Sequence, residues 1–325
     1  MRLSLWLPTF THGQPRFGNL ASRAREAERA GYDGIYLLDH LLPISGVHTS
    51  AWLDTVVGLA TLAACTERVS IGTASMVVGF RHPVLLAKQF ASVAVLAGPR
   101  LGLGAGSGWY APEYEAFGYQ VGERGRRTDE TLEAFSMLMT QERVSFHGRY
   151  WSFDDITIEP RPDTRIPILV AGGSRTVDAG SENDRPRMAP SVLRRIVRWD
   201  GWIAPCAGNE ELTYRDLDIV QKELREERVS RQGDFHLTHV QWTHIVDTDD
   251  RERALSEQLP LFRSLMGPHH SDQHFIDTYL VGSRQDIQAR VSRIRDHGFD
   301  EIIVGPVTHD PSQIQLILDT LRPVC

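Results

Sequence analysis

The sequence predicts a (β/α)8 barrel, the TIM-barrel fold, and three observations support this prediction. Short apolar segments alternate with amphipathic segments from the first residues to the last. Such alternation is typical of parallel strands joined by right-handed helical crossovers. About eight strand–helix pairs can be counted, the number that closes a barrel, and the length of 325 residues suits a barrel with insertions. A doubly wound open sheet is the alternative, because periodicity does not report closure.

The predicted strands are short runs of apolar and β-branched residues bounded by glycine or polar residues. They are expected at residues 3–8, 33–39, 69–78, 101–105, 167–171, 199–204, 235–246 and 301–304. Between the predicted strands, apolar residues recur with helical spacing. The predicted helices span residues 17–31, 52–65, 84–97, 123–140, 192–198, 210–228, 250–266, 286–297 and 311–321.

Three stretches depart from this alternation and are interpreted as insertions. Residues 144–158 contain strand-like aromatic segments around His147 and Gly148. Residues 178–190 are polar and hold two prolines, whereas residues 267–282 are rich in histidine. We therefore expect one domain over residues 1–325, with these insertions placed on its loops.

Composition excludes several classes of protein. With 41% hydrophobic and 24% charged residues, the chain has an ordinary globular composition. Its formal net charge is -7, so no basic surface for nucleic acid is expected. The apolar runs are too short for a membrane span. Cys65, Cys206 and Cys325 are scattered without CxxC spacing, which indicates a cytoplasmic protein without a disulfide framework or a metal cluster.

Polar residues follow the ends of several predicted strands. Asp39 and His40 end the second strand, Ser75 follows the third, and glycine-rich turns follow the fourth and fifth. In a parallel barrel the carboxyl ends of the strands meet at one face, where the active site lies. The sequence therefore predicts that these residues converge at one mouth of the barrel.

The glycines at positions 102, 104, 106 and 108 only superficially resemble a dinucleotide-binding motif. That motif needs a first strand, an immediate helix and an acidic residue about twenty positions later. Here the run follows the fourth strand, and Pro112 argues against a helix at once. Two interpretations stay open: a turn that needs positive φ, or a surface that lets a flat ring approach the backbone.

The turn at residues 172–175 reads Gly-Gly-Ser-Arg after a strand. Backbone N–H groups, a hydroxyl and a guanidinium together favour a phosphate-binding turn. The alternative is a helix cap by Ser174 beside an exposed Arg175. Barrels often bind phosphate after late strands, which favours the phosphate interpretation.

His40 is the candidate general acid or hydrogen-bond donor, because imidazole exchanges protons near neutral pH. Asp39 is expected to orient His40 or to cap a neighbouring loop. The turn at residues 81–83 is interpreted as a helix start with Pro83 first. His269, His270, Asp272 and His274 are interpreted as a solvated loop, and no metal site is expected, since nothing fixes a coordination geometry.

Several stretches together resemble the luciferase-like flavin-dependent oxidoreductases, a superfamily with bacterial luciferase-like monooxygenases and coenzyme F-420-dependent reductases. The similar stretches run nearly end to end and in order. They are residues 38–41 (Leu-Asp-His-Leu), 66–73, 81–88, 100–110, 113–118, 146–151, 171–174, 200–202 and 281–283.

The resemblance implies a (β/α)8 barrel with a flavin or deazaflavin at its mouth, its phosphate held by the turn at 172–175. The expected cofactor contacts are Asp39, Ser75, Gly106, Ser107, Gly108, Trp109, Gly172, Gly173, Ser174 and Arg175. The expected substrate pocket consists of Phe10, Phe80 and Tyr110.

Departures from the family pattern argue against two of the activities known in the family. Bacterial luciferase has a reactive cysteine and a phosphate-binding arginine where this chain has Gly106 and Ser107, which argues against light emission. Deazaflavin glucose-6-phosphate dehydrogenases have a tryptophan and a glutamate where this chain has Ile44 and Trp109, which argues against that sugar phosphate.

We therefore expect a monooxygenase that uses loosely bound reduced FMN and oxygen on a small apolar or aromatic molecule. The alternative cofactor is F-420, which would restrict the enzyme to hydride transfer. A separate reductase is expected to supply the reduced cofactor, and the family favours a homodimer. A noncatalytic barrel that acts as a binding subunit is the second alternative.

Overall fold

A computed structural model of the chain describes residues 1–10, 19–44, 51–175, 187–206, 208–226 and 234–325. Within them, eight strands and one two-residue strand form one parallel sheet, and the eight are numbered here in chain order. Their bounds are Arg2–Trp6 (β1), Gly34–Leu37 (β2), Ser70–Thr73 (β3), Leu101–Gly106 (β4), Ile168–Ala171 (β5), Gly201–Ala204 (β6), His236–Thr243 (β7) and Glu301–Pro306 (β8).

The sheet closes on itself. Strand β1 pairs in parallel with both β2 and β8, and the remaining neighbours follow in order round the circle. Closure occurs between β3 and β4, where Ile71 lies opposite Leu101 and Gly72 opposite Gly102. A short strand, Met76–Val77, extends this seam along the end of β4. The closed circle confirms the (β/α)8 prediction and excludes the open sheet.

Helices connect the strands on the outside of the barrel. Their bounds are Leu20–Ala30 (α1), Thr55–Cys65 (α2), Pro83–Ala97 (α3), Ala111–Ala116 (α4), Arg124–Thr140 (α5), Pro190–Arg198 (α6), Glu210–Glu226 (α7), Arg251–Met266 (α8), Asp272–Thr278 (α9), Arg284–Asp296 (α10) and Ser312–Leu321 (α11). Of the helices in the described ranges, none is both long and apolar enough to cross a membrane.

Capping residues set where the helices begin. Helix α2 starts at Thr55 because the Asp54 carboxylate accepts hydrogen bonds from the first free backbone N–H groups of the helix. Helix α3 begins at Pro83, with His82 as its cap, which confirms the predicted helix-start turn. Ser283 and Asp286 form a reciprocal capping box at the start of α10.

One local prediction is wrong: a helix does follow the glycine run almost at once. Helix α4 begins at Ala111, and Pro112 occupies its first turn. The first-turn N–H groups have no partner inside a helix, so a proline there removes no hydrogen bond. This short helix brings Glu113 to the barrel mouth.

The predicted insertions are visible in part. Val144–His147 and Ser152–Ile156 form an antiparallel hairpin between α5 and β5. Helix α9 and its capping residue Ser271 lie within the stretch 267–282. Residues 178–186 lie outside the described residues. The assignment of the whole chain to one domain stays a prediction.

The barrel interior has two chemically different ends. Toward the carboxyl ends of the strands, Trp6 packs edge to face against Trp242. Gly305 permits this, because a Cβ there would lie 2.2 Å from the Trp6 indole nitrogen. Toward the amino ends, Ser4 and Tyr36 surround the buried carboxylate of Glu301.

Candidate active site at the barrel mouth

Aromatic rings surround His40 at the carboxyl-terminal mouth of the barrel. His40 follows β2, and its ring centroid lies 4.8 Å from that of Trp52 and 5.9 Å from that of Trp109. Phe10, which follows β1, lies 5.0 Å from Trp52. Trp109 in turn lies 5.7 Å from Tyr110. The mouth is therefore an apolar, aromatic wall, with the imidazole of His40 between its two tryptophans.

The hydrogen-bond partner of His40 is Glu113 rather than Asp39, for which the sequence had left two roles open. His40 Nδ1 lies 3.2 and 3.3 Å from the two carboxylate oxygens of Glu113, which is fully buried. One of these oxygens also accepts the backbone N–H groups of Leu41 at 2.6 Å and Leu42 at 3.2 Å. The carboxylate thus ties α4 to the turn that carries the imidazole.

Asp39 holds the loop after β3 in place. It pairs with Arg81 through two hydrogen bonds of 2.7 and 2.8 Å, and it accepts the backbone N–H of Val77 and the Thr55 hydroxyl. Burial alone would lower the pKa of Arg81, but the charge and hydrogen bonds of Asp39, together with the charges of Asp54 and Glu113, outweigh it and raise that pKa. Because these donors already engage the carboxylate, Asp39 caps a neighbouring loop, the second role that the sequence suggested.

Ser75 and the predicted turn at 106–108 lie side by side. A Cβ at Gly106 would lie 2.5 Å from the Ser75 hydroxyl, so only glycine allows this contact. Gly108 has φ +65° and adjoins Val77. The Tyr114 hydroxyl donates to the Ser107 carbonyl and anchors the turn from α4. The structure therefore brings these predicted cofactor-binding residues together.

The turn at 172–175 is hydrogen-bonded to side chains of helix α7. The Asp216 carboxylate on α7 accepts the backbone N–H of Ser174 at 2.5 Å and its hydroxyl at 2.8 Å. Arg215 donates to the same hydroxyl at 3.2 Å. Ser174 therefore fixes the turn to α7, and the positive charge near it comes from Arg175 and from Arg215, which the sequence reasoning missed.

The three predicted pocket residues separate in the structure. Phe10 and Tyr110 belong to the aromatic mouth, where Phe10 is almost fully buried. Phe80 instead packs against Tyr114 and Phe117 in a separate small cluster beneath α4. Phe80 therefore lies apart from the aromatic mouth, and its place in the substrate pocket stays a prediction.

Other residues of the mouth were not predicted. Trp242 from β7 and Tyr279 from the loop before α10 belong to the same cluster as Phe10, and Cys206 packs against it. Burial raises the pKa of the Cys206 thiol to about 11, so the thiol stays protonated near neutral pH. Of these three residues only Cys206 follows a strand, the position that signals the mouth. Trp242 lies within β7 and Tyr279 directly follows α9, and nothing in their local sequence distinguishes them from core.

Comparison with known proteins assigns the family. The family model of the luciferase-like monooxygenases matches residues 1–180, more than half of the chain. The chain therefore belongs to the luciferase-like monooxygenase family, in agreement with the barrel and with the position of His40. This confirms the resemblance seen in the sequence and makes the protein a luciferase-like oxidoreductase.

Relatives in this family differ in their cofactor. An F420-dependent glucose-6-phosphate dehydrogenase from Microbacterium testaceum is 36% identical over 309 residues, covering 88% of this chain and 87% of that protein. An FMNH(2)-dependent dimethylsulfone monooxygenase from Pseudomonas putida is 33% identical over 180 residues, covering 54% and 46%. The structure of an F420-dependent secondary alcohol dehydrogenase matches with TM-score 0.78 at 16% identity, covering 100% and 99%, which supports the fold alone.

Proposed function

We propose that the protein is a monooxygenase that uses reduced FMN and oxygen to oxidise a small apolar or aromatic molecule. The observation that carries this proposal is the aromatic mouth around His40, formed by Trp52, Trp109 and Phe10. Flat apolar walls with few polar groups suit both a flavin ring and an apolar substrate. A separate reductase would deliver the reduced flavin.

The residues present fit a bound flavin. The turn at 106–108 is free of large side chains, and Ser75 beside it offers a hydroxyl for a ring oxygen or nitrogen. Trp109 is 44% exposed, so its indole is available to cover a ring. The guanidinium groups of Arg175 and Arg215 supply the charge for a phosphate beside the 172–175 turn. The Asp216 carboxylate beside Ser174 offsets part of this charge.

When bound, the reduced flavin supplies two electrons and activates oxygen; the chain supplies position and a proton. His40 is the group proposed to donate a hydrogen bond or a proton where negative charge develops. Asp39 and Arg81 keep the loop behind this site in place.

A second candidate is hydride transfer with F-420, favoured by the relative that matches 88% of the chain. His40 would then exchange a proton with the alcohol or carbonyl of the substrate. Glucose 6-phosphate is not proposed as the substrate. Ile44 is buried and Trp109 is apolar at the two positions where the family's sugar-phosphate enzymes have a tryptophan and a glutamate.

Anaerobic titration with reduced FMN and with reduced F-420 tests the cofactor. Tight binding of FMN, followed by product formation when oxygen is admitted with an apolar substrate panel, supports the first candidate. Binding of F-420 with oxygen-independent turnover supports the second. Failure to bind either cofactor, or binding without turnover on any substrate, would assign the protein to the noncatalytic barrels that act as binding subunits.

We also propose a cytoplasmic homodimer that associates through α2 and α3. These neighbouring helices have no charged residue in α2 and only Lys88 in α3. Four of their apolar side chains are more than half exposed: Val57, Leu85, Val95 and Leu96. Such a patch indicates an association surface, and in a two-fold dimer it faces its own copy.

Sedimentation of a surface variant tests the dimer. Val57→Glu combined with Leu85→Glu places charges in the patch and should give a monomer with the barrel intact. Ile219→Glu, on the exposed face of α7, is the matched control and should sediment like the unaltered protein. A monomeric unaltered protein would overturn the proposal.

A further inference from the structure

The carboxylate of Glu113 is placed to decide which nitrogen of His40 carries a proton. Both of its oxygens lie within 3.3 Å of Nδ1, and Glu113 is fully buried. An ionised carboxylate only accepts hydrogen bonds, so Nδ1 must be the donor. When the imidazole is neutral, Nε2 then carries the lone pair.

The carboxylate itself is held in place. Its Oε1 atom accepts the backbone N–H groups of Leu41 and Leu42, the two residues that follow His40. Carboxylate and imidazole are therefore fixed to the same turn, and rotation of one relative to the other would break these bonds. In the described part of the chain, no residue is hydrogen-bonded to Nε2 of His40, which leaves that nitrogen for the reacting molecule.

We propose that Glu113 is a positioning residue that holds His40 as the Nδ1–H tautomer and presents Nε2 to the site. In the protonated imidazole, Nε2 carries the proton that is donated where negative charge develops; in the neutral imidazole, the Nε2 lone pair takes a proton up again, while the Nδ1 proton stays hydrogen-bonded to Glu113 throughout. The tautomer is a property of the resting protein, whereas the effect of the tautomer on turnover rests on the proposed function of His40.

Glu113→Gln separates this role from a purely structural one. The glutamine oxygen can still accept the N–H groups of Leu41 and Leu42, so the tie between α4 and the turn is kept. Its NH₂ group then faces Nδ1 and donates to it, which forces the opposite, Nε2–H tautomer. Glu115→Gln, an exposed position on the same helix, is the matched control.

Nitrogen-15 NMR of the imidazole side chains reports the tautomer directly, at a pH where His40 is neutral. His40→Gln identifies the His40 signals by their disappearance. We expect the Nδ1–H pattern in the unaltered protein and in Glu115→Gln, and the Nε2–H pattern in Glu113→Gln. The same tautomer in all three proteins, or Nε2–H in the unaltered protein, would overturn the proposal.

Kinetics supply the second measurement. Glu113→Gln should lower kcat by about 10²-fold or more, because a histidine in the wrong tautomer cannot serve as the acid or base, with KM changed only a few-fold. Its melting temperature should match that of Glu115→Gln. A normal kcat in a variant whose tautomer has switched would contradict the positioning role. An unaltered protein inactive with both cofactors would instead refute the proposed function and leave the NMR result standing.

Discussion

Each end of the barrel contains a buried glutamate hydrogen-bonded to a histidine, and the surroundings of the two pairs differ. At the carboxyl-terminal mouth, Glu113 contacts His40 Nδ1 at 3.2 Å, and its remaining bonds go to backbone N–H groups of one turn. At the amino-terminal end, Glu301 contacts His236 Nε2 at 3.2 Å. The two pairs consist of the same chemical groups, but their carboxylates are hydrogen-bonded to different parts of the fold.

The bonds of Glu301 link strands. It accepts the Ser4 hydroxyl of β1 at 2.5 Å and the Tyr36 hydroxyl of β2 at 3.0 Å, in addition to His236 of β7. Burial raises the pKa of Tyr36 well above its ordinary value, and the charge of Glu301 adds to this, so its hydroxyl remains a donor. Four strands thus meet at one carboxylate.

A buried carboxylate hydrogen-bonded to a histidine takes its role from what else the carboxylate is attached to. Glu301 links four strands of the barrel, at the end where barrels are stabilised. Glu113 is attached to a single turn and to an imidazole that faces aromatic rings. The first pair is expected to affect stability, and the second to affect turnover.

Removing the imidazole at the mouth should give the largest effect. His40→Ala should lower turnover by about 10²–10⁴-fold, the usual contribution of a general acid, and should keep cofactor affinity within a few-fold. His40→Gln should recover part of the loss if a hydrogen bond suffices. Steady-state kinetics measure the turnover of both variants, and a melting curve reports whether each variant keeps its fold.

The control for that experiment is His236, the histidine at the amino-terminal end of the barrel. His236→Ala should keep turnover and lower the melting temperature, the reverse of His40→Ala. Near-normal turnover of His40→Ala would assign the imidazole to packing and direct the search for the acid to Tyr110 or Glu113.

Removing the carboxylate at the amino-terminal end should mainly destabilise the fold. Glu301→Ala leaves the hydroxyls of Ser4 and Tyr36 without their acceptor and should cost about 3–5 kcal/mol of unfolding free energy. Glu301→Gln keeps one acceptor oxygen and should cost less, about 1–3 kcal/mol. Urea denaturation measures the loss. Equal turnover per folded molecule is expected in all three proteins, and a selective loss of turnover would contradict the division of roles.

The fold could be predicted from the sequence because the signal is periodic and local. Each barrel strand overlaps its predicted segment. The ends of the helices differ from the prediction by a few residues where a capping residue sets them, as Asp54 does for α2. Helix α4 was missed because Pro112 was interpreted as a helix breaker, although its position in the first turn makes it harmless.

The candidate site was predictable only as a set of strand ends. His40 and the turn at 106–108 were found because polar residues and glycines follow apolar strands. Their partners were not, since Glu113 is 73 positions from His40 and Asp216 is 42 positions from Ser174. Such pairs depend on how helices pack outside the barrel, and one sequence has no local signal for that.

The two ends also differ in how stability should respond to pH. Burial alone would raise the pKa of Glu301, but hydrogen bonds from His236 and Ser4 and the charge of Arg2 outweigh it and lower that pKa. The unfolded chain therefore binds this proton first as the pH falls. The stabilisation is complete above the ordinary carboxyl pKa of ~4.3 and is lost as the pH falls through the lower folded-state value.

Denaturation of the unaltered protein and of Glu301→Gln over this pH range measures the effect. The difference in unfolding free energy between them should be constant near neutral pH and should shrink below about pH 4.3. A difference that grows as the pH falls would have the wrong sign and would refute the assignment.

The smallest effect is expected from Arg2, at the rim of the amino-terminal end. Its guanidinium donates to the Ser70 hydroxyl at 2.6 Å and to the Asp33 carbonyl at 3.0 Å, but it lies 3.9 Å from Glu301. Its side chain is 41% exposed, so solvent screens the attraction, and water can replace the guanidinium in Arg2→Ala. We expect a loss of about 1 kcal/mol or less in urea denaturation, with turnover unchanged. A loss as large as that of Glu301→Ala would show that Arg2, rather than Ser4, Tyr36 and His236, holds the carboxylate in place.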